Sequence, residues 1–98
     1  MLVKIIKANR DIVTICDSNL LGKKFEQGKF QLDIKESFYN GEETPEEEVI
    51  KVIKIMAKED ASLNIIGKQA VNTAIQAGII NKEGIKKIQG VPFAMVLL

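Results

Sequence analysis

Ninety-eight residues, 46% hydrophobic and 28% charged, describe one domain with enough apolar material for a single core and no requirement for disulfides or metal. A formal net charge of +1 gives no global attraction to nucleic acid or anionic membrane, so any such binding must come from a local patch. The absence of histidine excludes Cys–His and Ser–His nucleophile activation, imidazole acid–base work and every histidine-containing metal site, and a single cysteine excludes an intramolecular disulfide.

No N-terminal apolar segment has the length of a signal peptide or a membrane span, so the expectation is a cytoplasmic protein, one globular domain over 1–98, with no membrane role. Leu2 to Lys7 and Asp11 to Asp17 are β-branched runs separated by Ala8-Asn9-Arg10, which predicts an opening hairpin. In the second run Val13 and Ile15 share one face, the better candidate for the core. Ile12, Thr14 and Cys16 share the other, which points Cys16 to the less buried side. Asp17 beside it disfavours thiolate and no base assists, so Cys16 reads as a structural thiol unless the fold brings Lys23 or Lys24 close.

Ser18 to Gly22 reads as a short helical turn ending at glycine. In Lys29 to Lys35, Phe30, Leu32 and Ile34 alternate with polar residues, the period-two pattern of a half-buried strand. Gly22-Lys23-Lys24 is not a phosphate loop, because the preceding glycine, the spacing and the Ser/Thr after lysine are missing. Its functional alternative is a phosphate or RNA-backbone contact by solvated lysines. Phe38 and Tyr39 follow in what reads as extended chain, one ring entering the core and the other covering a loop or surface. A ring exposed beside lysines would be a stacking platform for a base.

Thr44-Pro45-Glu46-Glu47 predicts a helix start with Thr44 as N-cap, and Val49, Val52, Ile53, Met56 and Ala57 form the apolar stripe of a helix to Lys58, broadened by Ile50 and Ile55. The glutamates at 42, 43, 46, 47 and 48 are explained by the helix dipole and cap before any cation. Leu63 to Ile66 is a short strand, and Gly67 opens a second helix over Lys68 to Ala77; strand, glycine, helix N-terminus is a recurrent anion-binding arrangement, but the GxGxxG spacing is missing and the alternative is a glycine serving only the tight turn and close packing. Ile85 to Ile88 reads as a helical or extended connection, and Phe93 to Leu98 as a last strand after Gly90-Val91-Pro92. Met95 to Leu98 carries four apolar side chains of which alternation admits half to one core, so a homodimer with this strand at or near the interface is expected.

Cys16-Asp17, Leu20-Leu21-Gly22-Lys23, Phe38-Tyr39-Asn40-Gly41-Glu42, Ile66-Gly67, Ala74 to Ile80 and Gly90-Val91-Pro92, in that order, resemble the archaeal domain of unknown function family numbered four-two-four. The resemblance implies a compact archaeal cytoplasmic protein of α+β fold, no established enzymatic activity, and a context in the translation machinery. It marks Cys16, Asp17, Gly22, Phe38, Tyr39, Gly41, Gly67 and Pro92 as motif positions without an assigned role. The family's ending reads Val-Pro-His-Ala where this chain has Phe93, so a catalytic or metal role for that position cannot operate here.

The element order predicts an α+β domain with a mixed sheet of four to five strands and two helices mainly on one face. The leading functional expectation is a non-enzymatic accessory of translation or RNA metabolism, without cofactor or metal. Its partners would be RNA or ribosome-associated proteins, with Lys23, Lys24, Lys29, Lys35 and Tyr39 as the nucleic-acid contacts. A protein-interaction or homo-oligomeric module built on the apolar C-terminal strand is the second reading. A histidine-free enzyme using Asp17, Lys23 or the glutamates is the third.

Overall fold

The computed structural model describes residues 1–97. Strands β1 (Leu2–Ile6) and β2 (Ile12–Cys16) make the expected hairpin, with Lys4 opposite Thr14. Asp11 closes its turn by accepting from Lys7 Nζ at 3.1 Å and from the Ala8 N–H at 3.3 Å, and these contacts, the lysine first, hold its carboxyl below the ordinary range. A 3-10 turn over Ser18–Leu20 leads to β3 (Lys24–Gln27) and β4 (Phe30–Asp33), which pair only with each other. One turn of helix, α1 (Glu36–Tyr39), precedes the two-residue β5 (Glu42–Glu43) and the helix α2 (Glu46–Lys58). Then come β6 (Ser62–Ile66), α3 (Lys68–Gln76), a 3-10 turn over Lys82–Gly84, β7 (Lys86–Ile88) and β8 (Val91–Leu97).

The main sheet runs β5-β1-β2-β6-β8-β7, with β2 and β6 parallel and every other neighbouring pair antiparallel. The α+β class stands, but the sheet has six strands rather than four or five, the β3–β4 ribbon is separate from it, and there is a third, short helix. β5 and β7 are too short to show alternation, and β3 has one apolar residue, Phe25, in four positions, so neither signal exists in the sequence. Phe38 and Tyr39 sit in α1 rather than in extended chain.

Helices α2 and α3 cover one face of the sheet. Val49, Ile53 and Met56 of α2 and Ala70, Val71 and Ala74 of α3 pack on Val13, Ile15, Leu63 and Ile65, each large side chain contributing roughly 1.5–3 kcal/mol by leaving water. Ile55 does not join them: it is 59% exposed, because it lies off the stripe. Pro45, not Thr44, occupies the N-cap position of α2, and the Thr44 hydroxyl donates to the Glu42 carbonyl at 2.9 Å. The first-turn acids Glu46, Glu47 and Glu48 still complement the helix dipole.

On the opposite face the β3–β4 ribbon and α1 cover only one end of the sheet, building a second core from Cys16, Ile34, Tyr39 and Ile66 with Phe25, Leu32, Phe38 and Phe93 around it. β2 is therefore buried on both faces. Val13 and Ile15 face the helices, while Thr14 and Cys16 face the ribbon side, which corrects the expectation that Cys16 points toward a less buried side. The Thr14 hydroxyl is satisfied by donating to the Phe38 carbonyl at 3.2 Å. Gly41 lets the chain return against β1, since a Cβ there would stand 2.2 Å from the Val3 carbonyl oxygen. In β8, Val96 joins the helix-side core, whereas Met95 and Leu97 project from the other face beyond the reach of the ribbon. The expected strand end at Leu98 lies outside the described residues. No helix among the described residues is long and apolar enough to cross a membrane.

Candidate functional site

Asp17, Gly67 and Pro92, three of the positions that carry the resemblance, meet where the parallel strands β2 and β6 end. The Asp17 N–H donates to the Ile66 carbonyl at 3.0 Å and the Gly67 N–H to the Pro92 carbonyl at 2.9 Å, tying the three chain segments together. The Asp17 carboxylate, nearly buried, accepts from the backbone N–H groups of Gln69 at 3.0 Å and Ala70 at 2.7 Å. These are free donors of the first turn of α3, and an aspartate from 52 residues upstream caps them. The strand, glycine and helix N-terminus therefore hold the chain's own carboxylate in place of an external anion, and Gly67 serves the tight turn and the close packing against Asp17. Gly67 adopts φ 109° and ψ 158°, and a Cβ on it would lie 2.3 Å from Asp17 Cγ.

Cys16 is fully buried and its Sγ donates to the Asp17 carbonyl at 3.1 Å. Burial, and secondarily the Asp17 carboxylate, pushes its thiol from the ordinary value of 9.0 up to about 11. Roughly one thiol in ten thousand is ionised at pH 7, so native protein should resist iodoacetamide and label only when unfolded. The pH dependence follows with its sign. The unfolded thiol ionises near pH 9 while the folded one stays neutral, so the stability contribution is complete below pH 9 and is lost as pH rises toward 11. Chemical denaturation across that window should show a loss on the order of 2 kcal/mol that Cys16→Ala removes. Rapid labelling of the folded chain at neutral pH would contradict both.

Tyr39 is buried at 9% exposure, its phenol raised by burial and by Cys16, and its ring meets Phe38 edge-on at 5.0 Å and 78°. It offers no face for stacking, which corrects its place among the nucleic-acid contacts. The four lysines of that expectation are all exposed but are not gathered into one patch. Lys29 stands at the tip of the ribbon; Lys23 and Lys35 stand at its base, beside the Gly22 N–H donating to Ile34 at 2.8 Å. About 13 Å of strand separates tip from base. Lys24 lies 3.9 Å from Glu26 and opposite Asp33, so the outward face of the ribbon mixes both charges.

A different cluster forms where the ribbon tip meets β7. Gln89, held at φ 51°, donates its N–H to Gln27 Oε1 at 2.7 Å and its Nε2 to the Glu26 carbonyl at 2.5 Å, locking the ribbon onto the β7–β8 turn. Between them lies a cavity of about 310 Å³ lined by Gln27, Phe30, Lys86, Lys87, Ile88 and Phe93. Phe30 is 72% exposed, the largest such fraction among the exposed large hydrophobics. Lys86 and Lys87 line the same cavity and Lys29 precedes Phe30 in the chain, and none of the three has an acidic partner within ion-pair distance among the described residues. Sequence reasoning missed Lys86 and Lys87 because more than fifty positions separate them from Phe30. The usable signal was Lys-Lys-Ile running into Gln-Gly, a two-residue hairpin turn. No three Cys, Asp or Glu side chains among the described residues converge as a metal ion would need.

A model of the family described as "Protein of unknown function (DUF424)" matches residues 6–98. The chain belongs to that family. Its fold is similar to that of an uncharacterized conserved protein from Methanopyrus kandleri, with a TM-score of 0.85 at 24% identity over 97% of this chain and 88% of that one. Comparison with curated proteins finds no match. Of the positions that carry the resemblance, Asp17 and Gly67 make the helix cap, Pro92 ties it to β8, and Gly22 and Gly41 shape the chain at the ribbon and at β1. Phe93 is half-buried and lines the cavity beside Phe30.

Proposed function

We propose that this member of the family is a binding protein for single-stranded RNA, an accessory rather than an enzyme. The supporting observation is the exposed Phe30 ring at a cavity that Phe93, Lys86 and Lys87 also line, with Lys29 next to Phe30 in the chain. A base stacks on the open ring while the lysines take the flanking phosphates, the combination used by sequence-tolerant single-strand binders. The net charge of +1 keeps such binding local and modest.

Fluorescence anisotropy with a labelled oligouridine tests this. Binding is expected at about 50 mM salt and should fade toward about 300 mM, with a log–log slope near −2 for three lysines on a single strand. Phe30→Ala should weaken it about five- to a hundredfold, the equivalent of one stacked base. Lys86→Ala and Lys87→Ala should flatten the slope, while Lys24→Ala should change little. Absence of binding at low salt, or binding indifferent to Phe30 and Lys86, removes the reading.

A second reading, a protein-interaction module, is favoured by Met95 and Leu97, which stand 67% and 70% exposed on the uncovered end of the sheet.

A further inference from the structure

β8 is seven residues long, but β7 pairs only with Val91 to Phe93. The chain ahead of β7 turns into the 3-10 segment Lys82–Gly84, where the N–H groups of Gly84 and Ile85 donate to the Asn81 and Lys82 carbonyls, so it does not continue the ladder. The Pro92 carbonyl accepts from Gly67, beside β6, so alternation turns the backbone groups of Ala94 and Val96 toward β6 and those of Phe93, Met95 and Leu97 outward. On that outer side Phe93 meets Lys86, while Met95 and Leu97 meet no strand among the described residues.

Open edges are ordinarily guarded by charge. The other two ends of this sheet are guarded: β7 carries Lys86 and Lys87, and β5 consists of Glu42 and Glu43. The segment Ala94 to Leu97 carries no charge, no proline and no glycine, and its two outward residues are also the ones whose side chains are exposed.

We propose that this edge pairs antiparallel with the same edge of a second copy, about a two-fold axis through Val96. Because Met95 and Leu97 both turn their N–H and carbonyl groups outward, the register that satisfies all of them sets Met95 opposite the partner's Leu97 and Leu97 opposite the partner's Met95. That register also brings four exposed apolar side chains together on one face, where they cover one another. It introduces no like-charge contact, and it ends before the ladder position of Phe93, so β7 does not obstruct it. Pairing joins two six-stranded sheets through an isologous contact, which is used up once two copies have met; β5 and β7 guard the remaining ends, and the stretch of β1 beyond β5, Lys4 to Ile6, carries Lys4. A foreign strand would need to be equally short and uncharged; this chain supplies such a strand itself.

The contact is small beside the roughly 800 Å² per partner of a standard interface, so association is expected only at high concentration. Sedimentation should show monomer near about 10 μM and a shift toward dimer approaching about 1 mM. Amide exchange at Met95 and Leu97 should slow over the same range. Met95→Lys or Leu97→Lys, at exposed positions, should abolish the shift without changing the melting temperature of the dilute protein. A monomer throughout, with both amides exchanging freely, would overturn the proposal and leave the edge to a strand from another protein. A dimer that survives Met95→Lys, or leaves these amides unprotected, would equally overturn it.

Discussion

Gly67→Ala is expected to lower the unfolding free energy by about 3–5 kcal/mol, a large share of what holds a domain of this size together. Two independent costs add. The backbone at φ 109° and ψ 158° lies in a region that only glycine occupies without strain, worth on the order of 1–3 kcal/mol to any other residue. The new methyl would also stand 2.3 Å from Asp17 Cγ and 2.5 Å from Oδ2, so the carboxylate must leave the two N–H groups it caps. Denaturant unfolding measures the sum. A loss below about 1 kcal/mol would mean that strand β6 and helix α3 can re-form their junction without this geometry.

Asp17→Ala should cost about 2–3 kcal/mol, because it removes two charge-assisted hydrogen bonds at once and leaves the buried Ala70 N–H without an acceptor. Asp17→Asn keeps one acceptor in place and should lose about half as much. Exchange of the Gln69 and Ala70 amides should speed up selectively in the alanine variant, since these are the donors released. The two sites are also coupled. Once Asp17 is alanine the methyl at position 67 has space, so the double variant should be more stable than the sum of the single losses implies by about 1–2 kcal/mol, with only the backbone strain remaining. Strict additivity would show that the carboxylate and the glycine do not compete for one volume.

Both predictions concern the helix cap of α3, and their outcome separates stability from recognition. Neither Asp17 nor Gly67 lines the cavity under Phe30. A loss of RNA binding in Asp17→Asn that exceeds its loss of folded protein would move the binding surface to the motif end of the sheet.

The sequence by itself determined the hairpin at the start, the stripe of α2 over Val49, Ile53 and Met56, the strand–glycine–helix junction at Gly67, and the chemistries closed to a chain without histidine. Each rests on periodicity or on a residue type acting over a few positions, where local steric rules operate. The two-sided burial of Cys16 and the second core around Tyr39 were decided by tertiary structure, because a ribbon with one apolar residue in its first strand had to fold back over β2. The fate of the lysines was decided the same way. Lys24 was neutralised locally by Glu26 and Asp33 across a two-residue turn, while Lys86 and Lys87 were carried to Phe30 by a strand of three residues at the sheet edge. Nothing in a linear pattern joins Asp17 to the N–H of Ala70 either. That contact exists because β2 and β6 are parallel neighbours whose ends coincide, and parallel pairing is made by a crossover of more than forty residues rather than by any local signal.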